Sequence, residues 1–192
     1  QLDFEMSFAT QEDVFRVGEE VLTATFEKFA PEGSVVTAAP YPVISYKQAM
    51  LEFGSDKPDL RNPLIIQDVT KVFENIEFNA FKDKTVKAIV VPNGAEQGRK
   101  FFDKMGEFAT TEEVGAKGLA WTKIEQDDSV TGGIAKFITS DIKEKLEKQI
   151  GAEKNSAIFF IADELEKAQK IAGLVRIELG KRLELIEKDV YK

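Results

Sequence analysis

The stretch Ala157-Ile158-Phe159-Phe160-Ile161-Ala162 is the longest apolar run in the chain, and Asp163 follows it directly. Six residues is the length of a strand, far short of the roughly 20 needed to span a bilayer. Its β-branched and aromatic content marks a strand buried among other elements. Asp163 can then cap a helix from Glu164 to about Leu179, with Gly180 after it. Working back toward the N-terminus, Ser140 caps a helix over Asp141 to Ile150 that Gly151 stops. Leu119 to Ile124 reads as a strand and Asp128 to Gly133 as a turn. Gly94 to Phe108 is helical, and Thr111 to Ala116 is a short helix or turn. Val86 to Val91 and Leu64 to Val69 are further strands, the first closed by Pro92-Asn93-Gly94. Strands separated by helices, without strict parallel-sheet spacing, predict an α+β fold with a mixed sheet packed against helices.

The N-terminal third has a different texture. Leu2, Phe4, Met6 and Phe8 alternate with Gln1, Asp3, Glu5 and Ser7, which predicts a strand with one apolar and one polar face. Thr10 with Asp13 three residues on forms a capping-box pattern. A helix follows from about Gln11 to Phe29, with Val14, Val17, Val21 and Leu22 at helical spacing, ended by Pro31 and Gly33. Residues 31–44 read as loop or extended chain. Ser45 caps a short helix from Tyr46 to Phe53 that Gly54 stops. The polar, proline-bounded segment Ser55-Asp56-Lys57-Pro58-Asp59-Leu60-Arg61-Asn62-Pro63 fits neither period and reads as a domain boundary.

Composition narrows the chemistry. The chain has 192 residues, 43% hydrophobic and 31% charged, enough for a packed core. It holds no cysteine and no histidine. Disulfides, thiolate metal sites and Ser-His or Cys-His nucleophiles are therefore excluded, and a cytoplasmic setting without a metal is expected. No signal-peptide pattern is present at the start, and no membrane contact is expected. The formal net charge of −8 leaves nucleic-acid contact to a local basic patch.

Four features can carry binding. The polar strand face Gln1, Asp3, Glu5 and Ser7 can hold an ammonium or a metal-bound phosphate, a solvated edge being the plainer reading. The Ser55–Arg61 loop can grip a ligand or simply turn the chain. Gly115-Ala116-Lys117-Gly118-Leu119-Ala120-Trp121 offers a lysine between two glycines beside the only tryptophan. It lacks the hydroxyl residue of a phosphate-binding loop, and its tryptophan suits core packing better than base stacking. The basic groups Lys82, Lys84 and Lys87, and Arg99, Lys100 and Lys104, can touch phosphates or serve solubility.

Three stretches together resemble bacterial aspartyl-tRNA synthetases, in that family's order. Gln1-Leu2-Asp3-Phe4-Glu5-Met6-Ser7-Phe8 resembles the second strand of class II motif 2. Tyr46-Lys47-Gln48-Ala49-Met50 followed by Gly54-Ser55-Asp56-Lys57-Pro58-Asp59-Leu60-Arg61 resembles a segment specific to the family. The Gly115–Trp121 heptad, Ile158-Phe159-Phe160 and the helix over Leu174 to Leu183 resemble its GAD-type insertion domain. The resemblance implies three parts: residues 1–63 from the class II catalytic core, 64–183 the insertion domain, and 184–192 a return toward the core. It implies a parent that joins aspartate to tRNA using ATP and Mg2+, with Asp3 near the substrate ammonium and Gln1 and Glu5 on the same face. The motif 2 loop lies before Gln1 and motif 3 beyond Lys192, so this piece is expected to be catalytically inert and without a cofactor of its own. The parent is expected to be a homodimer and the piece a monomer. Lys82, Lys84, Lys87, Arg99 and Lys100 are the expected tRNA contacts, with a protein-docking or spacer role as the alternative.

Overall fold

The computed structural model describes residues 3–191. In chain order its elements are α1 (Gln11–Phe29), β1 (Val35–Val36), α2 (Tyr46–Glu52), β2 (Ile66–Asp68), β3 (Thr85–Val91), α3 (Arg99–Ala109), β4 (Ala120–Ile124), β5 (Val130–Thr131), α4 (Ser140–Ile150), β6 (Ser156–Asp163), α5 (Leu165–Arg182) and β7 (Val190–Tyr191). Short 3-10 turns occupy Thr70–Phe73, Gly94–Glu96 and Ala135–Phe137. No helix among the described residues is long and apolar enough to cross a membrane.

The apolar run lies inside β6, the middle strand of a five-stranded sheet of order β2-β3-β6-β4-β5. Every neighbouring pair in that sheet is antiparallel, and the parallel pairing is that of β1 with β7. The fold is therefore α+β with both pairing modes. Successive β6 side chains point to opposite faces. Phe159 and Ile161 enter a core under α3 and α5, with Phe102, Met105, Ile171 and Val175. Ile158 and Phe160 enter a second core under α4 and the 3-10 turns, with Phe73, Phe81, Leu146 and Ile150. Because both faces are covered, the strand is apolar throughout instead of alternating. Burying Phe159 and Phe160 stabilises the fold by about 1.5–3 kcal/mol each.

Helix ends follow their capping chemistry. Thr10 accepts from the Asp13 N–H at 3.3 Å, and the Asp13 carboxylate accepts from the Thr10 N–H at 3.0 Å. Ser45 caps α2, and Gly151 takes the left-handed conformation that ends α4. Thr139, not Ser140, caps α4. Asp163 does not cap α5: its carboxylate bonds the Glu164 N–H at 2.9 Å and pairs with Lys167 at 3.0 Å. Gly180 lies inside α5 and not after it. The 111–116 segment is a set of turns, and the turn read at Asp128–Gly133 contains β5.

The strand expected over residues 1–9 is not formed in its described part. Residues 3–9 are irregular, and Phe8 has φ of +57°. Gln1 and Leu2 lie outside the described residues. A single strand satisfies none of its backbone groups alone, and among the described residues no other element is bonded to this one. The next helix, α1, has no buried residue: Phe29 is 74% exposed, and Val14, Phe15 and Leu22 are also exposed. It is held by Thr23 to the Tyr41 hydroxyl at 2.8 Å, by Glu19 accepting from the Tyr41 N–H, and by Phe26 against Tyr191.

The segments flanking the five-stranded sheet run side by side. Val35 and Val36 pair with Val190 and Tyr191, and the Glu187 N–H donates to the Arg61 carbonyl at 3.1 Å.

Several paired side chains are shifted from their ordinary pKa values by their partners. Burial pushes the Asp68 carboxyl up, but hydrogen bonds from Lys87 and Thr70 outweigh it and leave it below the ordinary value. A hydrogen bond from Arg61 lowers Asp59, and one from Lys143 lowers Asp128. Hydrogen bonds to Glu164 and to Asp128 raise Lys84 and Lys143. The carboxylates contribute stability above their unfolded pKa near ~4, lost as pH falls through the lower folded values. The lysines contribute below ~10.4, lost as pH rises through the higher folded values. With no histidine to titrate between, the urea midpoint is expected to stay level from about pH 5.5 to 9 and to fall below about pH 4. A slope near neutrality in a series of urea melts would refute this.

Candidate functional site

A cleft of about 460 Å³ opens between the 78–84 loop and the start of β4. Phe81, Ile134 and Phe160 form its apolar floor; Lys84, Lys117 and Asn79 stand on its rim. The Lys84 ammonium lies 2.5 Å from Glu164 Oε1, so its charge is already answered. Asp163, also at the rim, is held low by its hydrogen bond with Lys167. Lys117 is exposed and has no ion-pair partner among the described residues.

Trp121 forms part of the wall but is not a free stacking surface. The Phe102 ring stacks on it with centroids 4.0 Å apart and planes 21° from parallel. On the Gly132 side, an added Cβ would collide with the indole carbons Cζ3 and Cε3. The indole is thus packed on two sides and half-buried, and core packing is its main role.

The sequence-derived basic residues do not form one patch. Lys82 is exposed beside the cleft, at the end of the sheet where β3 begins. Arg99 and Lys100 are exposed on the first turn of α3, beyond the other end of β3. Seven strand residues put about 20 Å between those ends. Arg99 reaches toward Asp103 at 3.6 Å. Lys87 departs from the expectation: its side chain is 0% exposed and its ammonium pairs with Asp68 at 2.9 Å. It points into the sheet face shared by Ile89 and Val91, so it has no ammonium to offer a phosphate. Asp3 and Glu5 are exposed on irregular chain, and Gln1 lies outside the described residues.

The Ser55–Arg61 loop turns out to be a clamp. Arg61 grips the Asp59 carboxylate through two nitrogens at 2.9 and 2.8 Å. Behind it Arg176 of α5, 1% exposed, donates to the carbonyls of Leu64, Asn62 and Asp59 at 2.5, 2.7 and 3.1 Å. Its guanidinium also lies 4.9 Å from the Phe53 ring centre. Asn62 returns a bond to the Arg176 carbonyl at 3.0 Å. The sequence reading missed Arg176, Asn62 and the burial of Lys87. Their traces were an arginine between Val175 and Ile177, and a lysine inside a valine-rich strand. A second cleft, about 700 Å³, lies between this loop and α1, lined by Leu22, Phe26, Leu60 and Tyr191 among others. Among the described residues no cluster of three or more acidic groups is placed to hold a metal ion.

Residues 76–172 match the family model described as GAD domain. Among curated proteins the whole chain is 46% identical to the aspartate–tRNA ligases of Streptomyces avermitilis and Streptomyces coelicolor. It is 44% identical, over 197 aligned residues, to the aspartate–tRNA(Asp/Asn) ligase of Rickettsia canadensis. The chain spans 32% of the length of each of these relatives.

Proposed function

The chain belongs to the GAD domain family, and from that premise we propose that it serves as a noncatalytic accessory module of an aspartate–tRNA ligase, one that contacts tRNA. The observation that carries this reading is identity of 44–46% along the whole chain to ligases of that name. In this reading ATP, Mg2+ and aspartate are handled by the rest of a homodimeric cytoplasmic enzyme. Residues 1–63 and 184–192 belong to its catalytic core, and residues 64–183 form the accessory unit. The exposed apolar side chains of α1 are the kind of surface that further ligase chain would cover. Gln1, Asp3 and Glu5 then take their places at the amino-acid pocket once a neighbouring strand supplies hydrogen bonds.

The tRNA contacts proposed are Lys82, Arg99 and Lys100, whose side chains are exposed. Lys84 and Lys87 drop out because Glu164 and Asp68 occupy their ammonium groups. Anisotropy titration of labelled tRNA for aspartate at low and moderate salt tests the reading. Saturable binding is expected, and replacing one of the three cations by alanine should reduce the slope of log affinity against log salt by about 0.7–0.9. Absence of saturable binding at tens of micromolar would remove the RNA contact and leave protein docking as the accessory role.

A further inference from the structure

The cleft beside Lys117 also holds an unpaired piece of strand. Val86 donates its N–H to Thr70 Oγ1 at 3.0 Å, and its carbonyl accepts from the Val69 N–H at 2.9 Å. Both backbone groups of Val86 therefore face away from β6. Directly opposed residues of an antiparallel ladder either exchange both bonds or exchange neither. Ala162 is opposite Val86, so it turns its N–H and carbonyl toward the β4 side. There β4 begins only at Ala120, opposite Phe160. Continued two residues in the same register, β4 would set Gly118 against Ala162. Instead Gly118 and Leu119 leave the sheet, and among the described residues no bond from them reaches Ala162. The fork so formed is the mouth of the cleft.

We propose that this fork binds an extended peptide segment of a partner protein by strand addition to β6. The paired residue of the peptide exchanges both backbone bonds with Ala162. Its side chain then points to the same sheet face as that of Ala162, onto the floor made by Phe81, Phe160 and Ile134. An apolar residue is selected there. Lys117, which has no ion pair among the described residues, selects an acidic neighbour in the peptide. A peptide backbone suits the site because a half-buried strand edge lacks the bonds that only another extended chain supplies in register. This assignment is independent of RNA binding, and no RNA enters its test.

The probe is the blocked tripeptide acetyl-Glu-Val-Leu-amide, which ends before the place that Ala120 already occupies opposite Phe160; it is added to the isotope-labelled chain and followed by amide and indole NMR shifts. Saturable shifts at Ala162, Gly118 and Trp121 are expected at millimolar peptide. Methylating the leucine nitrogen removes the donor that faces the Ala162 carbonyl and should weaken binding by about tenfold. Lys117→Ala, an exposed change, should weaken it by about threefold. No saturable shift at Ala162 and Gly118 overturns the proposal. So does equal binding of the methylated peptide, or shifts confined to surface lysines.

Discussion

Arg176→Ala is expected to lower the unfolding free energy by about 3–5 kcal/mol, the largest loss of any single side chain outside the aromatic core. The guanidinium is the common donor to three carbonyls of residues 59, 62 and 64. Burial pulls its pKa down and Asp59 pushes it back up, and an arginine so placed remains charged. Removing it strands buried acceptors, each costing about 1–3 kcal/mol, and opens a space against Phe53. Arg176→Lys should recover less than half of the loss, because one ammonium cannot span the positions that a planar fork reaches. Urea unfolding of the two variants gives the answer. A loss under about 1 kcal/mol for the alanine variant would mean that water satisfies these carbonyls and the clamp is not structural.

Gly54→Ala should cost about 3 kcal/mol or more, through two separable causes. Gly54 has φ of +67°, a conformation that strains an alanine by about 1–2 kcal/mol. A Cβ there would also collide with the Gln169 carbonyl oxygen and stand 2.6 Å from Gly173 Cα, both backbone atoms of α5. Only displacement of the end of α2 from α5 relieves that overlap. Gly151→Ala isolates the first cause, since φ is +64° with nothing within 4 Å of the added carbon. The expected result is a modest loss for Gly151→Ala and a much larger one for Gly54→Ala in parallel thermal melts. Equal losses would refute close approach of the two backbones as the reason for glycine at 54.

Elements whose information is local were legible before the structure. Thr10 and Asp13, or Ser45, announce a helix start because the cap bonds span three residues. The buried strand at 157–162 was plain because both its faces are covered. What pairing decides was less plain. The alternation at residues 1–8 has the period of a strand, yet the described residues have nothing to pair with. β5 is two residues long and exists through its bonds to β4. The candidate site was read unevenly for the same reason. Lys82, Lys84 and Lys87 look equivalent in sequence, but strand parity and the opposing Asp68 bury the last. Trp121 and Lys117 were singled out, while the fork between them depends on where β4 leaves β6, a matter of register. Gly54 was recognisable as a helix stop. Its contact with Gly173 joins positions 119 apart and leaves no mark on either neighbourhood.

The side-by-side course of residues 35–36 and 190–191, with Arg61 bonded to Glu187, has a consequence for inheritance. Everything between Asn62 and Ile186 leaves and returns at nearly one point. A chain that departs and comes back through so narrow a neck can be acquired, lost or exchanged between proteins by one recombination event, without stretching the framework it interrupts. Transplanting the five-stranded sheet in this way requires a host that keeps the close packing of Phe53 and Gly54 on α5.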